Sequence, residues 1–177
     1  MVESYYPSPI GLMKITYNER GIINIKFVDE CKIDYNDTCF TEYNNRKLKI
    51  IYKLIYDQLN EYFTGKRKIF ELPIIMDGTN FQIKVWEQLI RIPYGETRTY
   101  KEIAAEVGNE NAARAVGVAN KNNPFTLIIP CHRVVGTDGD MTGYEYGLWR
   151  KKWLLNHEIK NTKGLEKQIK IAYRVTQ

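Results

Sequence analysis

The ten residues ELPIIMDGTN, positions 71 to 80, constrain the fold most, because the hydrophobic patterns on either side of them differ. Pro73 and the turn pair Asp77-Gly78 interrupt any continuous element, and a new helical pattern begins directly afterwards. Before this seam, LMKITY and IINIKFV are β-rich runs separated by the polar turn NERG, which predicts a hairpin. Leu48, Ile51, Tyr52, Ile55, Leu59 and Tyr62 then recur at helical spacing, with Gly65 placed as a C-terminal cap. The seam therefore divides the chain into two units, residues 1–76 and 77–160, with 161–177 as a tail that is either a terminal helix or loosely attached.

After the seam, Phe81, Val85 and Leu89 mark one helix, and RIPYGETRT reads as a turn. Thr99 and Glu102 form a capping box for a second helix running through Ile103 and Val107 and ending at Gly108. A short polar turn leads to AARAVGVANK, and two helices so joined are the helix-turn-helix arrangement. Ala112, Ala113, Ala115, Gly117 and Ala119 leave this last helix almost without bulk, while Arg114 and Lys121 carry charge. It is either a helix packed tightly on its neighbours or one slim enough to approach a nucleic-acid groove. Finally, Leu148, Trp149, Lys152, Trp153 and Leu155 predict an amphipathic helix with a basic outer face.

With 177 residues, 44% hydrophobic and 27% charged, the chain is expected to be globular. No window approaches the roughly 20 apolar residues of a membrane span, and the N-terminus lacks the pattern of a signal peptide, so a cytoplasmic location is expected. Three cysteines are an odd number and too few for a disulfide framework; Cys31 and Cys39 are read as ordinary thiols. The net charge of +5 leans toward a polyanionic partner without specifying one.

IIPCHRVVG, residues 128 to 136, sets Cys131 beside His132, one of only two histidines. A thiol is nucleophilic as thiolate and needs a base or a positive field beside it. Pro130 favours extended backbone before it, and neighbours in extended chain point apart, so direct contact is not implied; a turn just after Pro130, or a bridging water, would restore the link. Glu158 falls one turn beyond Leu154 and Leu155, where an inward carboxylate would need a partner such as His132. On spacing alone a Cys/His/Glu relay competes with a structural thiol and a surface glutamate. His157 has no such argument and is expected to be exposed.

The wording of these segments resembles the O6-alkylguanine-DNA alkyltransferases. The resemblance runs from SPIG through GTNFQIKVWEQLIRIPYGETRTYKEIA, ARAVGVANKNNP and IPCHRVVG to TGYEYGL and WLLNHE. It implies an α/β protein with an N-terminal ribonuclease H-like domain and a C-terminal winged-helix-like domain that binds DNA. It also implies direct, irreversible transfer of an alkyl group from guanine O6, with O4-alkylthymine as a second candidate, to the protein's own cysteine in a single turnover. On matching positions Cys131 is the acceptor, His132 takes its proton through a water, Glu158 holds His132, Asn123 braces the nucleophile turn and Tyr100 serves the guanine ring. Backbone groups of Cys131, Val134 and Glu145 would read the base edge, Tyr144 would line the pocket and Pro124 would shape its approach. Arg114, next to Ala113 on the slim helix, would fill the gap left in the stack when the nucleotide is extruded, with that helix in the minor groove.

The resemblance implies no cofactor and a monomer whose partner is double-stranded DNA containing O6-alkylguanine. A zinc site found in some relatives is not supported, since no histidine precedes His132. Glu145 and Tyr146 depart from the basic residue and tryptophan common in bacterial relatives, and a carboxylate there could weaken phosphate contacts. The rival reading is a non-enzymatic alkyltransferase-like reader, which lacks the acceptor cysteine; a transcription regulator leaves PCHRV unexplained, and a Cys/His hydrolase lacks a visible oxyanion site.

Overall fold

In the computed structural model the described residues are 1–28, 45–141 and 143–175, with side chains described through residue 162. Cys31 and Cys39 lie outside them. The predicted hairpin is present as β2, Gly11–Asn18, and β3, Gly21–Phe27, paired antiparallel with Ile15 opposite Ile25. A strand not read from the sequence, β1, Val2–Ser8, pairs with the other edge of β2. Alternation puts Val2, Tyr6, Met13, Ile15 and Ile25 on the buried face, and the register shift between Thr16 and Tyr17 brings Ile22 onto it as well.

Helix α1, Arg46–Phe63, buries the predicted stripe of Leu48, Ile51, Ile55, Leu59 and Tyr62. Asn45 caps its N-terminus by accepting from the amides of Lys47 and Leu48. At the other end Gly65 takes φ 75°, and the amides of Gly65 and Lys66 donate back to the carbonyls of Tyr62 and Glu61. This is the Schellman arrangement, and it accounts for the glycine.

The free edge of β3 is used twice. Ile22 exchanges backbone hydrogen bonds with Pro73 and Ile75, and farther along the Ile25 amide donates to the Pro124 carbonyl at 2.8 Å while the Thr126 amide donates to Ile25 at 2.9 Å. The segment leading to Cys131 is thereby annealed to the N-terminal sheet.

The second half is mainly helical. Helix α2, Asn80–Ile90, and helix α3, Tyr100–Glu106, both open with capping boxes, Thr79 with Gln82 and Thr99 with Glu102. A 3₁₀ turn, Glu110–Ala112, leads into helix α4, Ala113–Lys121, completing the helix-turn-helix. The stretch read as plain turn contains a short strand, β4, Arg98–Thr99, which pairs parallel with β5, Val134–Val135. Helix α5 runs Leu148–Val175, so residues 161–175 continue it as helix.

The expected inward face of α5 needs correction. Leu148 and Trp149 are 50% and 57% exposed, whereas Lys151 is fully buried with Leu154, Leu155 and Glu158. Trp149 lies against the Arg150 guanidinium, and Lys151 turns inward because its ammonium finds the Val134 carbonyl at 2.6 Å. His157 is half-buried rather than exposed, stacked on Trp153 at 4.9 Å and bonded through Nε2 to the Tyr62 carbonyl at 2.8 Å. Among the described residues no helix is long and apolar enough to cross a membrane.

Gly21 sits at φ 150°, and a Cβ there would strike the Pro73 carbonyl. Gly21→Ala is therefore expected to lower stability by about 1–3 kcal/mol, the scale of a strained backbone conformation. Chemical denaturation of the two proteins at neutral pH tests this, and unchanged stability would contradict the packing described here.

Candidate active site

The chain turns at residues 127–128, Ile129 bridges back to Thr126, and after Pro130 residues Cys131–Arg133 form a 3₁₀ turn that leads straight into β5. Asn123 closes the loop before it, donating from Nδ2 to the Ile129 carbonyl at 2.8 Å and accepting from the Phe125 amide at 2.9 Å. Inside that loop Leu127 holds φ 74°, a left-handed conformation rare for a residue with a side chain of this size. The nucleophile turn is thus held at both ends by named bonds.

Behind the turn lies the buried carboxylate of Glu158, 0% exposed. Its Oε1 receives His132 Nε2 at 2.8 Å, the Tyr62 hydroxyl at 2.8 Å and Arg133 Nη2 at 3.0 Å. Its Oε2 receives Arg133 Nε at 2.9 Å and the Gly95 amide at 3.0 Å. Burial alone would raise this carboxyl's pKa, but His132 and Arg133 outweigh it and hold the group well below the usual carboxylate range. Glu158 is therefore an anion that only accepts, which assigns the proton of neutral His132 to Nε2. The lone pair is left on Nδ1, a buried atom with no hydrogen-bond partner among the described residues. Burial pushes the His132 pKa down, against the pull of Glu158, so the neutral ring predominates at neutral pH.

Cys131 is buried, and burial pushes its thiol up; hydrogen bonding from Asn123 and the charge of Lys151 oppose that rise without overcoming it. At rest the group is a thiol, so reaction at sulfur requires a proton acceptor. Lys151, itself drawn down to about 8 mainly by burial, adds a positive field beside the sulfur.

A cavity of about 740 Å³ opens between α4 and the loop ahead of α5; Cys131 is not on its wall, but Tyr100 and Tyr144, which neighbour Cys131, are. Tyr100, Ala113, Arg114, Tyr144 and Glu145 line it, which brings five of the predicted residues together. Tyr100 and Tyr144 are raised by burial and, to a lesser degree, by the neighbouring Cys131, so both phenols stay protonated. The Tyr144 hydroxyl is buried against Cys131, with which its side chain interacts by hydrogen bonding. Arg114 and Glu145 are exposed at the cavity wall.

Two predicted residues lie elsewhere. Pro124 is not on the cavity wall, and its carbonyl is joined to β3. Val134 is fully buried, its carbonyl accepting from Lys151 and its amide donating to the Cys131 carbonyl.

Sequence reasoning missed Tyr62, Gly95, Arg133 and Lys151 around the relay, Trp86 behind α4 and Asn120 on the buried side of α4 itself. Trp86 Nε1 donates to the Ala119 carbonyl at 2.9 Å, pinning α4 to α2, and Asn120 Nδ2 donates to the Cys131 carbonyl at 3.3 Å. The only available signal was the run of polar residues inside otherwise apolar stripes.

Comparison with known proteins agrees with this geometry. Residues 1–75 match the family model described as 6-O-methylguanine DNA methyltransferase, ribonuclease-like domain, and residues 80–160 match that of the DNA binding domain of the same enzyme. A methylated-DNA–protein-cysteine methyltransferase of Methanosarcina barkeri is 46% identical over 87% of this chain and 94% of its own length. A probable methylated-DNA–protein-cysteine methyltransferase of Acanthamoeba polyphaga mimivirus is 45% identical over 86% and 93%. Among solved structures, the Mycobacterium tuberculosis O6-methylguanine methyltransferase superposes with a TM-score of 0.76 at 38% identity, covering 90% of this chain and 93% of that one. The structure described as M. tuberculosis OGT in complex with DNA gives 0.77 at 35%, over 91% and 94%. With its two-part α/β fold and buried Cys-His-Glu site, the chain belongs to the methylated-DNA–protein-cysteine methyltransferase family.

Because the Glu158 pKa is depressed in the folded protein, its contribution to stability is complete above the ordinary glutamate value of about 4.3 and is lost as pH falls toward the folded value. Melting temperature is expected to fall steadily below about pH 4. Glu158→Gln, which leaves the buried Arg133 without its anion, should lose about 3–5 kcal/mol at neutral pH. Denaturant melts at pH 7 check the second value; a variant as stable as the parent would remove the carboxylate from the centre of the site.

Proposed function

We propose that the protein repairs DNA by moving the alkyl group of O6-alkylguanine directly and irreversibly onto Cys131. The observation that carries this reading is the His132 lone pair at Nδ1, held by an anionic Glu158 next to a buried thiol. His132 Nδ1 accepts the Cys131 proton through a bridging water, and the thiolate attacks the alkyl carbon in line. The S–C bond forms as the C–O bond breaks, and the electron pair leaves on guanine. Tyr100, kept protonated, donates toward the ring where that charge develops, and guanine regains one proton to match the one lost by the thiol. The balance needs no soluble donor and no cofactor. The thioether that results cannot return to thiol, so each molecule acts once.

The target carbon is inaccessible inside a stacked duplex, so the nucleotide must be extruded into the cavity at a cost of a few kcal/mol. Helix α4 exposes Arg114, Ala115, Val118 and Lys121, a slim face suited to the minor groove with Arg114 entering the vacated stack. In this reading residues 1–76 form the supporting half and 77–160 the half that meets DNA. The Tyr144 phenol, on the cavity wall and beside Cys131, supports a polar ligand edge there, while the exposed Glu145 opposes phosphate at its rim.

Intact-mass analysis after mixing with a duplex carrying O6-methylguanine should show one added methyl on the peptide containing Cys131 and none in Cys131→Ser. Unchanged mass with DNA bound would favour the non-enzymatic reader. Arg114→Ala is expected to slow transfer from duplex roughly ten- to a hundredfold, the scale of an extrusion step made harder by one to three kcal/mol, with little change toward free O6-benzylguanine. Equal slowing on both substrates would exclude an extrusion role for Arg114.

A further inference from the structure

The carboxylate oxygen that holds His132 is shared. Glu158 Oε1 also accepts the hydroxyl of Tyr62, which comes from α1, 96 residues earlier in the chain. Tyr62 is fully buried, its ring packed edge-on against Phe63 and Tyr94 and within 5.5 Å of the His157 ring. Its carbonyl is bonded by His157, so α1 and α5 are joined on both sides of this phenol. Burial and the neighbouring carboxylate keep the phenol protonated far above neutral pH, so it is a permanent donor.

We infer that Tyr62 is a positioning residue for alkyl transfer: by donating to the oxygen that holds His132, it sets how strongly Glu158 supports the imidazolium, and so lets the N-terminal half tune the relay. This rests on the reading of His132 as the proton acceptor. Each donor on Oε1 draws off negative charge, leaving less to stabilise the His132 cation. The other charged and titratable groups around the relay are Arg133 beside His132, Lys151 on α5, Cys131, Tyr94 from the segment before β4, and His157. Tyr62→Phe alters none of them and removes only the hydroxyl, leaving Glu158 the bonds from His132, Arg133 and Gly95. His132 should then hold its proton more tightly.

Two measurements on the full chain test this. The acid limb of the single-turnover rate with O6-benzylguanine should move to higher pH in Tyr62→Phe by roughly half a unit to one unit, the scale of one hydrogen bond to a charged group. Imidazole NMR should show the His132 titration moving the same way, with His157 as the only other histidine signal. Site-specific 3-fluorotyrosine at position 62 keeps the shape and the hydroxyl but makes a stronger donor, so both should move to lower pH. This second variant also covers the case in which Tyr62→Phe does not fold. Profiles that superimpose on those of the parent, with only the melting temperature lowered, make Tyr62 merely structural and overturn the inference, as does a shift of opposite sign. A parent protein that takes up no alkyl group overturns the transfer reading whatever NMR shows, whereas an unmoved His132 overturns the Tyr62 inference whatever the mass shows.

Discussion

A single buried negative charge organises this molecule. The Glu158 carboxylate has no solvent around it and is tolerable only because five donors converge on its two oxygens. Those donors come from α1, from the segment before β4 and from the nucleophile turn, while the carboxylate itself comes from α5. Each one withdrawn leaves the buried carboxylate less well satisfied, so the docking of each element supports that of the others. A lone ion pair of this kind adds little net stability, but it fixes geometry, and the geometry it fixes is the ring orientation of His132.

The same economy links DNA contact to chemistry. Helix α4 is pinned from below by Trp86 and reaches the Cys131 carbonyl through Asn120, so the helix proposed to meet the duplex is bonded directly to the turn that carries sulfur. Lys151 completes the turn from the other side by holding the Val134 carbonyl. An ammonium placed this way draws on the sulfur electrostatically while remaining committed to a structural bond.

Elements with a strong local signature were legible in the sequence: the β2–β3 hairpin, the α1 stripe and the Thr99–Glu102 box all depend on neighbours within a few residues. The Cys131, His132 and Glu158 positions were readable through the family wording, since spacing alone left a structural thiol in contention. What escaped was set by distant partners. Strand β1 has few apolar alternations of its own and is defined by its register on β2. Tyr62 fitted a core stripe and gave no sign that its hydroxyl faced a carboxylate. Leu148 and Trp149 looked inward by hydrophobicity, yet the buried side of α5 follows Lys151 and Glu158, whose polar ends have partners there. Arg133 carried no signal of its own in the sequence, and only the fold brings its guanidinium onto the buried Glu158 carboxylate and the Ile92 carbonyl.

The pairing of Ile25 with Pro124 and Thr126 gives the seam at residues 71–80 a different meaning. A seam in hydrophobic pattern invites treatment of the halves as cassettes to be cut, swapped or inherited separately. Here one strand edge belongs to both. Severing the chain at the seam would leave the stretch before Cys131 with an unpaired carbonyl and amide, and the sheet with an open edge, a site for pairing with other chains.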